Sequence, residues 1–102
     1  MSGDSNGAVK TLLVRMSGTV QGVGYRAACV RSAAALHVTG WVRNRMDGSV
    51  EALLQGDPEC VNRMCDWLLN GSTHAALVEK MEAEELAPPF ARYDDFRQIA
   101  DR

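Results

Sequence analysis

The feature that most restricts the fold is a hairpin signal placed directly after a helix. Asp47-Gly48 stands between Gly40-Trp-Val-Arg-Asn44, a short strand pattern, and a run in which Val50, Ala52 and Leu54 alternate with Glu51, Leu53 and Gln55. An Asp-Gly pair between two such runs marks a tight antiparallel turn. Ahead of it, Tyr25, Ala28, Cys29, Ser32, Ala33 and Leu36 recur at helical spacing and make one face of a first helix. A helix followed by a hairpin is incompatible with a doubly wound nucleotide-binding sheet, which needs crossover helices between parallel strands.

The remaining elements follow from periodicity. From Val9 to Ser17, Leu12, Val14 and Met16 alternate with Thr11, Leu13, Arg15 and Ser17, which predicts the first strand. The strand from Val50 is expected to keep one face partly wet. Asp57-Pro58 supplies a helix cap followed by proline at the first helical position. Val61, Met64, Cys65, Leu68 and Leu69 then form an apolar stripe opposite Glu59, Asn62, Arg63 and Asp66, and Asn70-Gly71 stops the helix. Ser72 to His74 reads as a loop and Ala76 to Leu86 as the fourth strand, with Met81 and Ala83 toward the core. Its Glu79, Glu82, Glu84 and Glu85 suit a solvated face or a protected edge. Pro88-Pro89 breaks the pattern, and a short further strand is expected around Phe96 to Ile99. The order βαββαβ predicts a ferredoxin-like α/β sandwich, an α+β fold with two helices on one face of a four- to five-stranded antiparallel sheet.

At 102 residues the chain fits one domain, 1–102, with the small, polar residues 1–8 as a flexible lead-in. A net charge of −2 gives no basic footprint, which weighs against nucleic acid as the partner. Neither a leader nor a membrane-length apolar run is present, so a soluble cytoplasmic protein is expected. Cys29, Cys60 and Cys65 are odd in number and lack ligand spacing, which suggests free thiols rather than a disulfide framework or a zinc site. Trp41 and Trp67 read as packing residues, and His37 and His74 as surface or loop residues.

The stretch Gly18-Thr-Val-Gln-Gly-Val-Gly-Tyr-Arg26 joins the first strand to the first helix. The first N–H groups of a helix have no partner inside it, and the peptide dipoles place partial positive charge there, so this turn can hold an anion. Arg26 adds a planar, permanently charged fork. Gly22-Val-Gly24-Tyr-Arg-Ala27 also fits a loose dinucleotide fingerprint, but the hairpin that follows is the wrong context. A purely structural turn would leave Arg26 without a purpose, since no acidic residue lies near it in sequence. Strand parity adds a second group: Val42 and Asn44 share one face and Trp41 and Arg43 the other. With Val42 toward the helices, Asn44 emerges on the side of the turn. An arginine, a set of backbone N–H groups and a neutral amide would then converge on one anion.

These two patterns resemble those of the acylphosphatase family. Gly18-Thr-Val-Gln-Gly-Val-Gly-Tyr-Arg26 meets its loop pattern, and Gly40-Trp-Val-Arg-Asn44 with Gly48-Ser-Val50 and Gly56 meets the second; the likeness runs from about Val9 to Ala83. The resemblance implies hydrolysis of acyl phosphates to a carboxylate and inorganic phosphate, without metal or cofactor; a monomer is expected, though the sequence itself does not set the oligomeric state. It implies that Arg26 and the backbone N–H groups of Gln21, Gly22, Val23, Gly24, Tyr25 and Arg26 bind the phosphoryl oxygens. Asn44 would position the attacking water, and the substrate's own phosphate would assist in accepting its proton. Inorganic phosphate would be both product and competitive inhibitor. His37 departs from the family, whose bacterial members usually carry glycine there, and is expected to be strained. The competing class is a non-catalytic ferredoxin-like module that binds an anion or RNA on its sheet. With no zinc-finger cysteines following, a stand-alone enzyme is favoured over part of a larger carbamoyl-transfer maturation protein.

Overall fold

The computed structural model describes residues 9–70, 76–88 and 90–102. The expected lead-in over 1–8 and the loop at Ser72–His74 lie outside the described residues, as do Gly71 and Pro89. The elements run β1 (Lys10–Thr19), α1 (Tyr25–Leu36), β2 (Thr39–Asn44), β3 (Val50–Gly56), α2 (Pro58–Asn70), β4 (Leu77–Glu85) and β5 (Phe96–Gln98). They form one five-stranded sheet in the order β4-β1-β3-β2-β5. The expected ferredoxin-like order is therefore present, with two helices packed on the sheet.

Alternation decides which face the helices cover. Leu12, Val14 and Met16 of β1, Val42 of β2, and Val50, Ala52 and Leu54 of β3 share the core with Tyr25, Cys29 and Ala33 of α1 and Val61, Met64 and Leu68 of α2. The α2 stripe is narrower than its spacing suggests: Leu69 is 41% exposed. At 100° per residue Leu69 lies about 80° around the helix from Val61, whereas Leu68 lies within about 20° of it. In β4, Met81 and Val78 pack against the core; Ala83, opposite Val14, shares the face of Met81 but is exposed at the open edge. That strand is an edge, and its glutamates are all exposed, as an edge device requires, with Glu85 opposite Leu12 on the helix side.

Three further expectations are corrected. β5 pairs with β2 in parallel, Gly40 opposite Phe96, so the sheet is not wholly antiparallel. The cause is the route of the chain. β4 ends opposite the start of β1, at the end of the sheet where β2 begins, and the chain crosses there to enter beside β2 and run with it. The second correction concerns the face away from the helices, which is not wet along β3: Glu51, Leu53 and Gln55 are all buried. Gln55 Nε2 donates to Ala91 O at 2.8 Å and to Thr11 Oγ1 at 3.2 Å, while its Oε1 accepts from Tyr93 N at 3.0 Å. The crossing chain thus covers this end of the sheet. Glu51 is buried beneath Arg43 and Arg45, whose nitrogens lie 2.7 and 3.4 Å from Oε1. Arg43 also lies over the Trp41 ring, 4.8 Å from its centroid. The third correction, to the surroundings of Arg26, belongs to the site.

Both helices end in ways that the sequence marks. Asp57 Oδ1 accepts from Glu59 N at 2.9 Å, the expected cap of α2. His37, at φ 60°, closes α1 in the left-handed conformation, and the N–H groups of His37 and Val38 return to Ala34 O and Ala33 O. It is the single non-glycine residue at positive φ among the described residues, and such geometry costs a β-carbon-bearing residue about 1–2 kcal/mol. The cysteines are free; burial pushes the Cys29 thiol up to about 12 and raises that of Cys65.

Candidate functional site

The ends of β1 and β2, the hairpin turn and the residues after β5 meet at one end of the sheet. Between β1 and α1, Val20 is buried and anchors the loop to the core, while Gly22 and Gly24 are exposed. Gly22 has φ 75° and Gly24 has φ 79°; a β-carbon at either would meet nothing within 4 Å. Glycine is needed here for backbone conformation rather than for space.

Gly24 is the N-cap of α1 and offers no side-chain acceptor, and the first turn carries no acidic residue. The first amide tied within the helix is Ala28 N, bonded to Gly24 O at 3.1 Å. The preceding amides are therefore free of any side-chain cap, at the positive end of the helix dipole. Tyr25 fixes that end. Its hydroxyl donates to Leu68 O at 2.7 Å, its ring stacks on Trp67 at 6.1 Å, and burial raises its pKa so that it remains a donor. Its side chain thus serves the core, and only its backbone belongs to the loop. Val23 likewise packs partly against the core.

Arg26 follows on the first turn with its side chain 31% exposed. The sequence offered it no nearby acid, and the fold supplies one: Nη1 lies 3.1 Å from Asp101 Oδ1. Asp101 is 57% exposed and is 75 residues away in sequence, on the tail that runs past β5. A hollow of about 140 Å³ adjoins the loop, lined by Gly22, Gly24, Tyr25, Arg26 and Gln98. A larger one, about 280 Å³, lies on the far face between Arg15, Glu51, Glu82 and Glu84, and its acidic lining does not suit an anion.

Asn44 ends β2 as strand parity requires: Val42 is fully buried on the helix side and Arg43 turns to Glu51 on the other. Asn44 Oδ1 is buried and accepts no hydrogen bond from the described residues. An unused buried acceptor is costly unless something supplies a donor. The neighbourhood of Asn44 is tied to the loop twice. Gln21 Nε2 donates to Arg45 O and Ser49 O, each at 2.8 Å. Arg102 N donates to Asn44 O at 3.0 Å, one residue beyond the Asp101 that holds Arg26. The expected pair, Arg26 and Asn44, is thus brought to one end of the sheet. The side-chain role of Gln21 and the presence of Asp101 were not foreseen. The first could be suspected from a long amide in a glycine loop; nothing in the sequence pattern points to the second.

Chemically, the assembly offers unpaired backbone donors, one guanidinium and one carboxamide, the means to bind and orient an oxyanion. The family model described as Acylphosphatase matches residues 12–98. "Acylphosphatase 1" of Ralstonia nicotianae is 61% identical over 92 residues, covering 90% of this chain and 89% of that protein. "Acylphosphatase" of Polaromonas naphthalenivorans is 48% identical over 99 residues, covering 97% of each. Among solved structures, an acylphosphatase from Coxiella burnetii superposes with a TM-score of 0.84 at 30% identity, over 96% of this chain and 100% of that one.

Proposed function

This chain belongs to the acylphosphatase family and hydrolyses acyl phosphates, and from that premise we propose how its residues divide the work. Arg26 and the backbone N–H groups from Gln21 to Arg26 bind the phosphoryl oxygens. Asn44 accepts a hydrogen bond from the attacking water and aims it at phosphorus. The observation that carries this reading is the buried, unpartnered Oδ1 of Asn44 on the same end of the sheet as an uncapped helix start and Arg26.

The physical logic is one of positioning. An acyl phosphate already has a carboxylate as its leaving group, so the protein has little bond chemistry to supply. Binding the phosphoryl group against fixed donors stabilises the charge that spreads over its oxygens in the transition state. Holding water nearby converts a bimolecular step into an effectively unimolecular one. The water's proton passes to the substrate's own phosphate, and the reading assigns no general base to the protein. It also calls on no metal ion or cofactor and on one copy of the chain. Three free thiols fit a reducing compartment, which supports the cytoplasmic location we propose; no helix among the described residues is long and apolar enough to cross a membrane.

Release of phosphate from benzoyl phosphate by the purified protein, with EDTA present, tests the reading. Hydrolysis should survive the chelator and be inhibited competitively by inorganic phosphate. Activity lost with EDTA, or unaffected by phosphate, would count against it.

A further inference from the structure

We propose that Gln21 is a positioning residue that sets the spacing between the phosphate-binding loop and Asn44. The inference rests on the division of roles given above. One carboxamide nitrogen donates both of its hydrogens across the site, to Arg45 O and to Ser49 O, each at 2.8 Å. These carbonyls are the two that close the hairpin turn: Ser49 O accepts from Arg45 N at 2.8 Å, and Arg45 O accepts from Gly48 N at 3.1 Å.

The turn is itself rigid. Asp47 Oδ1 accepts from Ser49 N at 2.9 Å and from Ser49 Oγ at 2.6 Å, bracing it from inside. Asn44 directly precedes Arg45, so gripping Arg45 O places Asn44. On the other side, Gln21 sits between buried Val20 and left-handed Gly22, so its main chain cannot shift without moving the loop. The side chain is therefore a strut between two stiff bodies, one carrying the phosphate donors and the other the water holder.

Glutamine suits this duty because it is neutral and has two N–H donors on one atom. Glutamate would turn a lone-pair-bearing carboxylate toward two carbonyl oxygens, and methionine would match the volume but donate nothing. Misplacing a reacting group by about 1 Å costs about 10² in rate. Loss of the strut should lower turnover without removing any phosphate donor.

The test compares Gln21→Met in two backgrounds, the natural protein and Asn44→Ala, by kcat and KM on benzoyl phosphate, phosphate inhibition constant and melting temperature. In the natural background kcat should fall by roughly 10- to 100-fold, while the phosphate inhibition constant changes by less than about threefold. In the Asn44→Ala background the same substitution should change kcat by less than about threefold, since a strut has nothing left to position. If Gln21→Met does not fold, Gln21→Asn, whose donors fall short of both carbonyls, replaces it with the same expectations. A folded variant that keeps its kcat, or one that loses equal factors in both backgrounds, overturns the proposal. A natural protein inactive on benzoyl phosphate would overturn the underlying reading instead, and this one with it.

Discussion

The two helices begin in opposite ways although each follows a strand. At α2, Asp57 accepts the Glu59 amide, Pro58 removes a donor that would have needed a partner, and Glu59 in the first turn pairs with Arg63 at 2.9 Å. At α1, a left-handed glycine stands in the capping position, no side chain accepts, and the nearest charge is a cation. One start is satisfied from within the chain. The other has no side-chain cap among the described residues, and the contrast is what the proposed phosphate-binding role of this helix start rests on.

The contrast can be broken most severely at its charge. Arg26→Ala should lower kcat/KM for benzoyl phosphate by on the order of 10³ or more, as removal of a transition-state arginine does elsewhere. It should also abolish the rise in melting temperature that inorganic phosphate gives the natural protein. Gly24→Asp makes the first helix begin like the second, with a carboxylate in the donor nest. The position has room for the side chain but sits at φ 79°, where a β-carbon costs about 1–2 kcal/mol, so the variant should fold with a lowered melting temperature, and turnover should fall by about 10²–10³. Asn44→Ala should cost kcat a similar factor, about 10²–10³, yet leave the phosphate inhibition constant near its natural value.

Smaller effects sharpen the same comparison. Asp57→Ala should lower stability by about 1 kcal/mol, seen as a drop of roughly 4–8 °C in melting temperature, while kcat and KM stay unchanged. Asp101→Asn should bring the smallest change: with the negative charge beside Arg26 gone, the phosphate inhibition constant should tighten by about two- to fivefold. An unchanged constant at low salt would mean that Asp101 and phosphate do not share the guanidinium.

The order of elements was legible because each alternation and each helical stripe is bounded by its own stop signal: Gly18 to Gly24, His37 to Gly40, Asp47-Gly48 and Asp57-Pro58. Strand parity also placed Asn44 correctly, since one buried residue, Val42, fixes the face of every other residue in β2. What was hidden depends on the segment after β4, which has neither period. That segment bonds and covers Gln55, brings β5 into parallel register and delivers Asp101 to Arg26. Contacts between residues 75 apart in sequence leave no trace in local pattern. Leu69 was misjudged for a different reason, because a hydrophobic residue at the rim of a stripe is buried only if a neighbour reaches it.

The amide of Tyr93 lies in irregular chain, yet its acceptor is a glutamine that is itself 2% exposed and bonded on both sides. Its hydrogen should therefore exchange with solvent as slowly as those of the adjacent strands, and much more slowly than the amides of its coil neighbours Arg92 and Asp94. Protection at that one position would report the lifting of the whole crossing segment from the sheet, and would make Tyr93 a natural probe of whether the chain opens there before it unfolds.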